Sequence, residues 1–218
     1  MNKDKENQNT QNKKNLFFDL DGTLINSNKL CYEAFNSLNK EHGYKFDTSV
    51  IETSKSFELR NIYKGLTTDQ FKDVVLKFDK YYFENYKNVE LFDGAFKFLE
   101  AISKNNNLYI ATSNCFENVV KILKEKGIFN FFISGTYGGY GSASKGQRIQ
   151  GMLKEENILN TSSIMIGDTV SDIEAGREND FKIIACDWGI QSGKVLSEVN
   201  PDFLVSSFDQ MREAIEQV

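Results

Sequence analysis

Six short apolar runs, separated by helical patterns, constrain the fold more than any other feature of the chain. They are Leu16-Phe17-Phe18, Leu108-Tyr109-Ile110-Ala111, Phe131-Phe132-Ile133, Ile164-Met165-Ile166, Lys182-Ile183-Ile184-Ala185 and a weaker Phe203-Leu204-Val205. Helical periodicity covers roughly 94–104, 115–126, 146–157, 170–178 and 207–217. A short apolar run bounded by turn residues reads as a strand buried on both faces, too brief to be a helix. Strands that alternate with helices predict an α/β fold, a Rossmann-like parallel sheet flanked by helices.

The stretch 28–88 breaks this rhythm and has no convincing strand. Leu30, Ala34, Phe35 and Leu38 fall at helical spacing, and so do Phe71, Val74, Val75, Phe78, Tyr82 and Phe83. The expectation is an inserted all-helical cap domain of three or four helices over 27–89. It interrupts a core built from 15–26 and 90–218. The aromatic set Tyr81, Tyr82, Phe83 and Tyr86 reads as the core of that insert rather than a stacking platform. Residues 1–14 are rich in Asn, Lys, Gln and Glu with nothing to bury, and read as a disordered tail.

Composition removes several function classes. The formal net charge is −5, which argues against nucleic acid as a partner. No run approaches the roughly 18 apolar residues of a membrane span, and no apolar stretch precedes Leu16. The expectation is a soluble, cytoplasmic protein without a membrane partner. Three widely spaced cysteines (Cys31, Cys115, Cys186) give neither a disulfide framework nor a CxxC zinc pair. His42 is the one histidine, so chemistry that needs several is excluded, and it reads as a solvated residue of the insert.

In an open parallel sheet, ligands bind beyond the carboxyl ends of the strands. The first predicted strand ends in Asp19 and Asp21, the second in Thr112, Ser113 and Asn114, and the fourth in Gly167 and Asp168, with Asp172 four residues on. Lys145 opens the helix before the fourth strand, with Lys126 and Lys154 as alternative lysines. Carboxylates gathered this closely raise each other's pKa unless a cation sits among them. An all-oxygen site with room for water suits Mg²⁺, and Mg²⁺ with a lysine would attract a phosphate despite the acidic chain. Asp19 can then act as a nucleophile toward phosphorus, and Asp21 as a general acid and base. Gly22 permits the sharp exit that aims both side chains, and Thr112 or Ser113 can donate a hydroxyl to a phosphate oxygen.

Phe18-Asp19-Leu20-Asp21-Gly22-Thr23-Leu24, Ile110-Ala111-Thr112-Ser113-Asn114, Lys145 and Ile166-Gly167-Asp168-Thr169-Val170-Ser171-Asp172 together resemble the haloacid dehalogenase superfamily, over about residues 15–218. The helical insert is similar to the cap of its phosphoglycolate phosphatase-like and β-phosphoglucomutase-like members. The resemblance implies a Mg²⁺-dependent phosphatase that hydrolyses a small phosphomonoester through an aspartyl-phosphate on Asp19. Asp21 would be the acid/base, and Thr112, Ser113 and Lys145 would hold the phosphoryl group. Mg²⁺ would be held by Asp19, the main-chain carbonyl of Asp21, and Asp168. Asp172 would support the metal's water shell or orient Lys145. The partner implied is a small phosphorylated metabolite as substrate, and the expected assembly is a monomer or weak dimer. Two departures stand out: Asn26 where many relatives carry Asp, and Gly146 after Lys145 where many carry Pro.

Other readings of the same residues are weaker. The EF-hand pattern would need acidic residues at Phe17 and Asn28. Gly138 to Gly146 fails the P-loop pattern because Ser144 precedes Lys145 and Gly146 follows it. Cys115 stands at a predicted helix start, where a thiol pKa can drop, yet it reads as a small packed side chain. Arg60 and Lys64 read as a solvated face of the insert, with contact to a distal substrate anion as the sharper reading. A phosphomutase uses the same Asp pair, and a non-catalytic ligand-binding member needs no acid/base pair at all.

Overall fold

A computed structural model of the chain describes residues 13–46, 65–139 and 143–218. Arg60 and Lys64 lie outside the described residues, as does the side chain of His42. Six parallel strands form one sheet: β1 (Asn15–Phe18), β2 (Asn107–Ala111), β3 (Ser134–Thr136), β4 (Ser163–Gly167), β5 (Lys182–Cys186) and β6 (Phe203–Val205). Their spatial order is β3-β2-β1-β4-β5-β6, so β1 is central and the order reverses beside it. Such a reversal leaves a crevice at the carboxyl edge, between the end of β1 and its neighbours.

The third strand differs from expectation. The apolar run Phe131-Phe132-Ile133 is an approach segment, and the strand is the next three residues, Ser134–Thr136. Phe131 and Phe132 pack sideways against the main core while Ile133 is exposed. At a sheet edge the pairing partner decides register, and β2 pairs from Tyr109 opposite Ser134 to Ala111 opposite Thr136.

Side-chain alternation distributes the helices over the two faces. Leu16, Phe18, Leu108, Ile110, Ile164 and Ile166 point to one side, where they meet α3 (Ala95–Ile102), α4 (Phe116–Glu125) and α8 (Phe208–Gln217). Phe17, Tyr109 and Met165 point to the other, against Ile149 and Met152 of α5 (Lys145–Glu155) and Ala175 of α6 (Val170–Glu178). Ile183 and Ala185 complete that side with Leu196 of α7 (Gly193–Ser197). Ser144 and Thr169 close capping boxes that start α5 and α6 at the carboxyl edge of the sheet. Those two helix starts place Lys145 and Asp172.

Between β1 and β2 the described elements are all helical: α1 (Asn28–His42), α2 (Thr68–Asn85) and the 3₁₀ turn Tyr86–Asn88, followed by α3. α1 and α2 pack through Phe35, Leu38, Phe46 and Val74, a small cluster of their own in which Phe35 stacks on Phe46 at 4.5 Å between ring centroids. Tyr82, Tyr86, Leu30 and Cys31 join the main core instead. The inserted helices therefore have a cluster of their own, against which Ile190 also packs, and they join the main core through Leu30, Cys31, Tyr82 and Tyr86.

Candidate active site

Beyond the end of β1 the chain stays paired for one more residue, the Asp19 N–H donating to the Ile166 carbonyl at 2.9 Å. This bond carries the Asp19 carboxylate to the crevice between β1 and β4. Lys145 reaches it from the first turn of α5, with Nζ 3.0 Å from Asp19 Oδ1 and 2.5 Å from Asp172 Oδ1. The other oxygen of Asp172 accepts from the Thr169 N–H at 3.0 Å and the Thr169 hydroxyl at 2.6 Å. Both oxygens of Asp172 are thus engaged, one with Lys145 and one at the start of α6. Lys126 pairs with Glu90, and Lys154 is exposed, so neither competes with Lys145.

Asp168 is fully buried and fixed by two donors, the Thr23 hydroxyl at 2.9 Å and the Ile190 N–H at 2.7 Å. The chain around it has no room for side chains. A Cβ at Gly22 or at Gly189 would lie 2.2 Å from Asp168 Oδ2, and Gly22 also has φ +78°. Asp21 projects from the same turn as Asp19. Its Oδ1 accepts from the Tyr82 hydroxyl of α2 and its Oδ2 from Asn114 Nδ2 at 3.3 Å. Thr112 is buried at the end of β2, its hydroxyl accepting from the Asn114 N–H at 3.1 Å. No acceptor for its O–H appears among the described residues, and Thr112 lines the crevice. Arg148 Nη2 ties down the Thr112 carbonyl at 2.8 Å. Ser113 is exposed and stands at the rim.

Asp19, Asp168 and Asp172 each offer a carboxylate oxygen, all within 4.8 Å of one another and all buried. Burial raises the Asp19 carboxyl well above the usual range; Lys145 opposes this, while Asp172, Asp168 and Asp21 push it higher. Burial, with the charge of Asp172, raises Asp168 to about 7. Burial would lower Lys145, but Asp172 and Asp19 outweigh it and hold the ammonium charged above its ordinary range. One lysine does not balance this many carboxylates. An all-oxygen donor set with excess negative charge fits a hard divalent cation such as Mg²⁺. Cys115, by contrast, has its thiol raised by burial, so its place before α4 does not activate it.

The site opens into a cavity of about 430 Å³ between the sheet edge and the inserted helices. Among the residues expected from sequence, Asp19, Asp21, Thr112, Ser113 and Lys145 line it, while Asp168 and Asp172 lie directly behind. Four further participants emerge only from the geometry: Thr23, the Ile190 N–H, Asn114 as a partner of Asp21, and Tyr82. Thr23 follows the Asp-Gly turn, and that position is the signal that could find it. Tyr82 carries no such signal, since its spacing is that of any core residue of α2.

Residues 16–186 match the family model of the haloacid dehalogenase-like hydrolases. The chain belongs to that family. It is 24% identical over 202 residues to a pyrophosphatase PpaX from Listeria innocua, covering 90% of this chain and 93% of that protein. It is 24% identical over 207 residues to a phosphoglycolate phosphatase from Synechococcus elongatus, covering 93% and 97%. A haloacid dehalogenase-like family hydrolase from Streptococcus pneumoniae superposes with a TM-score of 0.80 at 26% identity, covering 93% of this chain and 98% of that one. As a hydrolase of this family the chain is an enzyme, and none of its described helices is long and apolar enough to cross a membrane.

Proposed function

We propose that this hydrolase is a Mg²⁺-dependent phosphatase that cleaves a small phosphomonoester through an aspartyl-phosphate on Asp19. The observation that carries the reading is the Asp19–Lys145 pair, 3.0 Å apart at the cavity floor with Asp21 on the next turn of chain. A carboxylate oxygen of Asp19 attacks phosphorus while the ester oxygen leaves with a proton from the carboxyl of Asp21. Asp21, now ionised, takes a proton from a water that attacks the phosphoryl group, which frees Asp19 and releases phosphate. Lys145, the Thr112 hydroxyl and Ser113 hold the phosphoryl oxygens, and Asp172 keeps Lys145 aimed. Asp19, Asp168 and the Asp21 carbonyl would hold Mg²⁺, whose charge, when bound, neutralises phosphoryl oxygens against this acidic floor.

On the same reading the core is 15–26 with 90–218, and 27–89 is a cap that excludes water from the phosphoenzyme. The protein works in the cytoplasm as a monomer or weak dimer, on a soluble phosphorylated metabolite. The relatives named for pyrophosphate and phosphoglycolate bring both compounds into consideration as substrates. The test is phosphate release from a panel of phosphomonoesters and pyrophosphate, with Mg²⁺ and with EDTA, beside Asp19→Asn. Metal-dependent release that falls at least about a thousandfold in the variant is expected for loss of a nucleophile. Release that survives the substitution, or that never occurs in the folded wild type, overturns the proposal.

A further inference from the structure

The two sides of the cavity differ in chemistry. The floor carries the carboxylates, Lys145 and Thr112, whereas α2 contributes Phe71, Val75, Phe78, Asp79 and Tyr82. These five positions follow helical spacing and make one stripe along the cavity. Two of them are polar, and the Tyr82 hydroxyl already donates to Asp21. The Asp79 carboxylate has no hydrogen-bond or ion-pair partner among the described residues, though it is largely withdrawn from solvent beside Phe78 and Val75. It stands three residues from Tyr82, hence about one helical turn from the contact that reaches Asp21. A leaving group attached to a phosphoryl on Asp19 would extend toward this wall.

An isolated carboxylate in an apolar wall is costly unless a ligand supplies a donor. The same carboxylate repels a second anion, and like charges brought together across an interface disfavour the wrong partner. The cavity also offers far more room than a two-carbon acid or a second phosphate fills. We propose that Asp79 is a specificity-determining residue: its carboxylate accepts a hydrogen bond from a hydroxyl or amino group on a ring-bearing leaving alcohol and repels leaving groups that are themselves anions. The chain then prefers esters of ring-bearing, donor-carrying alcohols to phosphoglycolate and to inorganic pyrophosphate. This rests on the phosphatase reading of the same site and narrows it. Burial also lifts the Asp79 carboxyl to about 6, as expected of a group with no counter-charge, and leaves it mostly ionised at pH 7.

The experiment compares kcat/KM for uridine 5′-monophosphate, phosphoglycolate and pyrophosphate, each divided by the value for phenyl phosphate, which has neither a donor nor a second anion. Wild type, Asp79→Ala and Asp79→Lys are measured with Mg²⁺. In wild type the nucleotide ratio should exceed the other two at least about tenfold, as one charge-assisted hydrogen bond allows. It should fall about tenfold in Asp79→Ala, and Asp79→Lys should raise the phosphoglycolate ratio. Because each value is a ratio, a general loss of folded enzyme cancels. Wild type that favours phosphoglycolate or pyrophosphate, or ratios that stay put in both variants, overturns the assignment of Asp79 while leaving the phosphatase reading intact. No release from any ester by folded wild type overturns both.

Discussion

The floor of the cavity and its helical wall are built on opposite terms. On the floor each buried charged side chain has polar partners, though its negative charge is in excess: Lys145 lies between Asp19 and Asp172, Asp172 caps α6, and Asp168 is held by Thr23 and Ile190. The wall is apolar, stitched by Phe35, Phe46 and Phe78, with Asp79 left unpaired among the described residues. A rigid, mutually dependent polar floor suits chemistry that tolerates little displacement. A wall of independent side chains on α1 and α2 can vary its shape and charge without disturbing that chemistry. The proposed division of labour, reaction below and selection above, can be broken from either side.

The sharpest break is on the floor. Lys145→Ala removes the one lysine among three buried carboxylates and leaves Asp19 and Asp172 facing each other without it. Losing one partner of a buried ion pair costs about 3–5 kcal/mol. Urea unfolding without added metal should show a loss of that order, together with loss of phosphate release. A variant as stable as wild type would mean that the floor is not held by its charges. Part of the loss should return on adding Mg²⁺, since a divalent ion that binds the folded floor stabilises it by mass action.

An intermediate effect is expected where the two regions touch. The Tyr82 hydroxyl is the described polar contact from α2 to the catalytic pair proposed here, through Asp21. Tyr82→Phe keeps the ring in the core and deletes that donor. We expect kcat on phenyl phosphate to fall about tenfold, with stability changed by about 1 kcal/mol or less. A fall in kcat without a matching rise in KM distinguishes misplacement of Asp21 from loss of substrate binding. If kcat is unchanged, floor and wall act independently even at their point of contact.

The same contrast explains why the floor is legible in the amino-acid sequence and the wall is not. The floor comes from local motifs at strand ends: Asp19-Leu20-Asp21-Gly22, Gly167-Asp168 with Asp172, and Lys145 at a helix start. Strand position and turn chemistry fix where those side chains go, so parallel order brings them together. β3 is the three residues that follow its apolar run because such a run at a sheet edge packs sideways as readily as it pairs. The wall leaves no such trace. Phe71, Val75, Phe78, Asp79 and Tyr82 follow a period that marks a buried face, and periodicity says nothing about which buried face borders a cavity. Asp79 carries no sequence signal of its own, and only the setting of α2 against the sheet edge puts it on the cavity.

The mildest break concerns Asp79 alone and needs no substrate. Its carboxyl is raised from 3.8 to about 6 by burial. Well below pH 3.8 the carboxyl is protonated in both folded and unfolded chains, and it costs nothing. As pH rises through 3.8 the unfolded chain ionises first, so stability is lost, and the loss is complete above about 6, once the folded group has ionised as well. Asp79→Asn cannot ionise. It should therefore unfold at nearly the same urea concentration as wild type near pH 3 and at a higher one at pH 7.5. The full shift would correspond to about 3 kcal/mol, and residual contact with solvent brings the expected gain nearer 1 kcal/mol. A gain that is equal at both pH values would show that Asp79 is destabilising through packing rather than through an unpaired charge. The wall would then lack the electrostatic character on which selection against anionic leaving groups depends, whereas a gain confined to the higher pH places a charge there that a donor-bearing ligand can relieve.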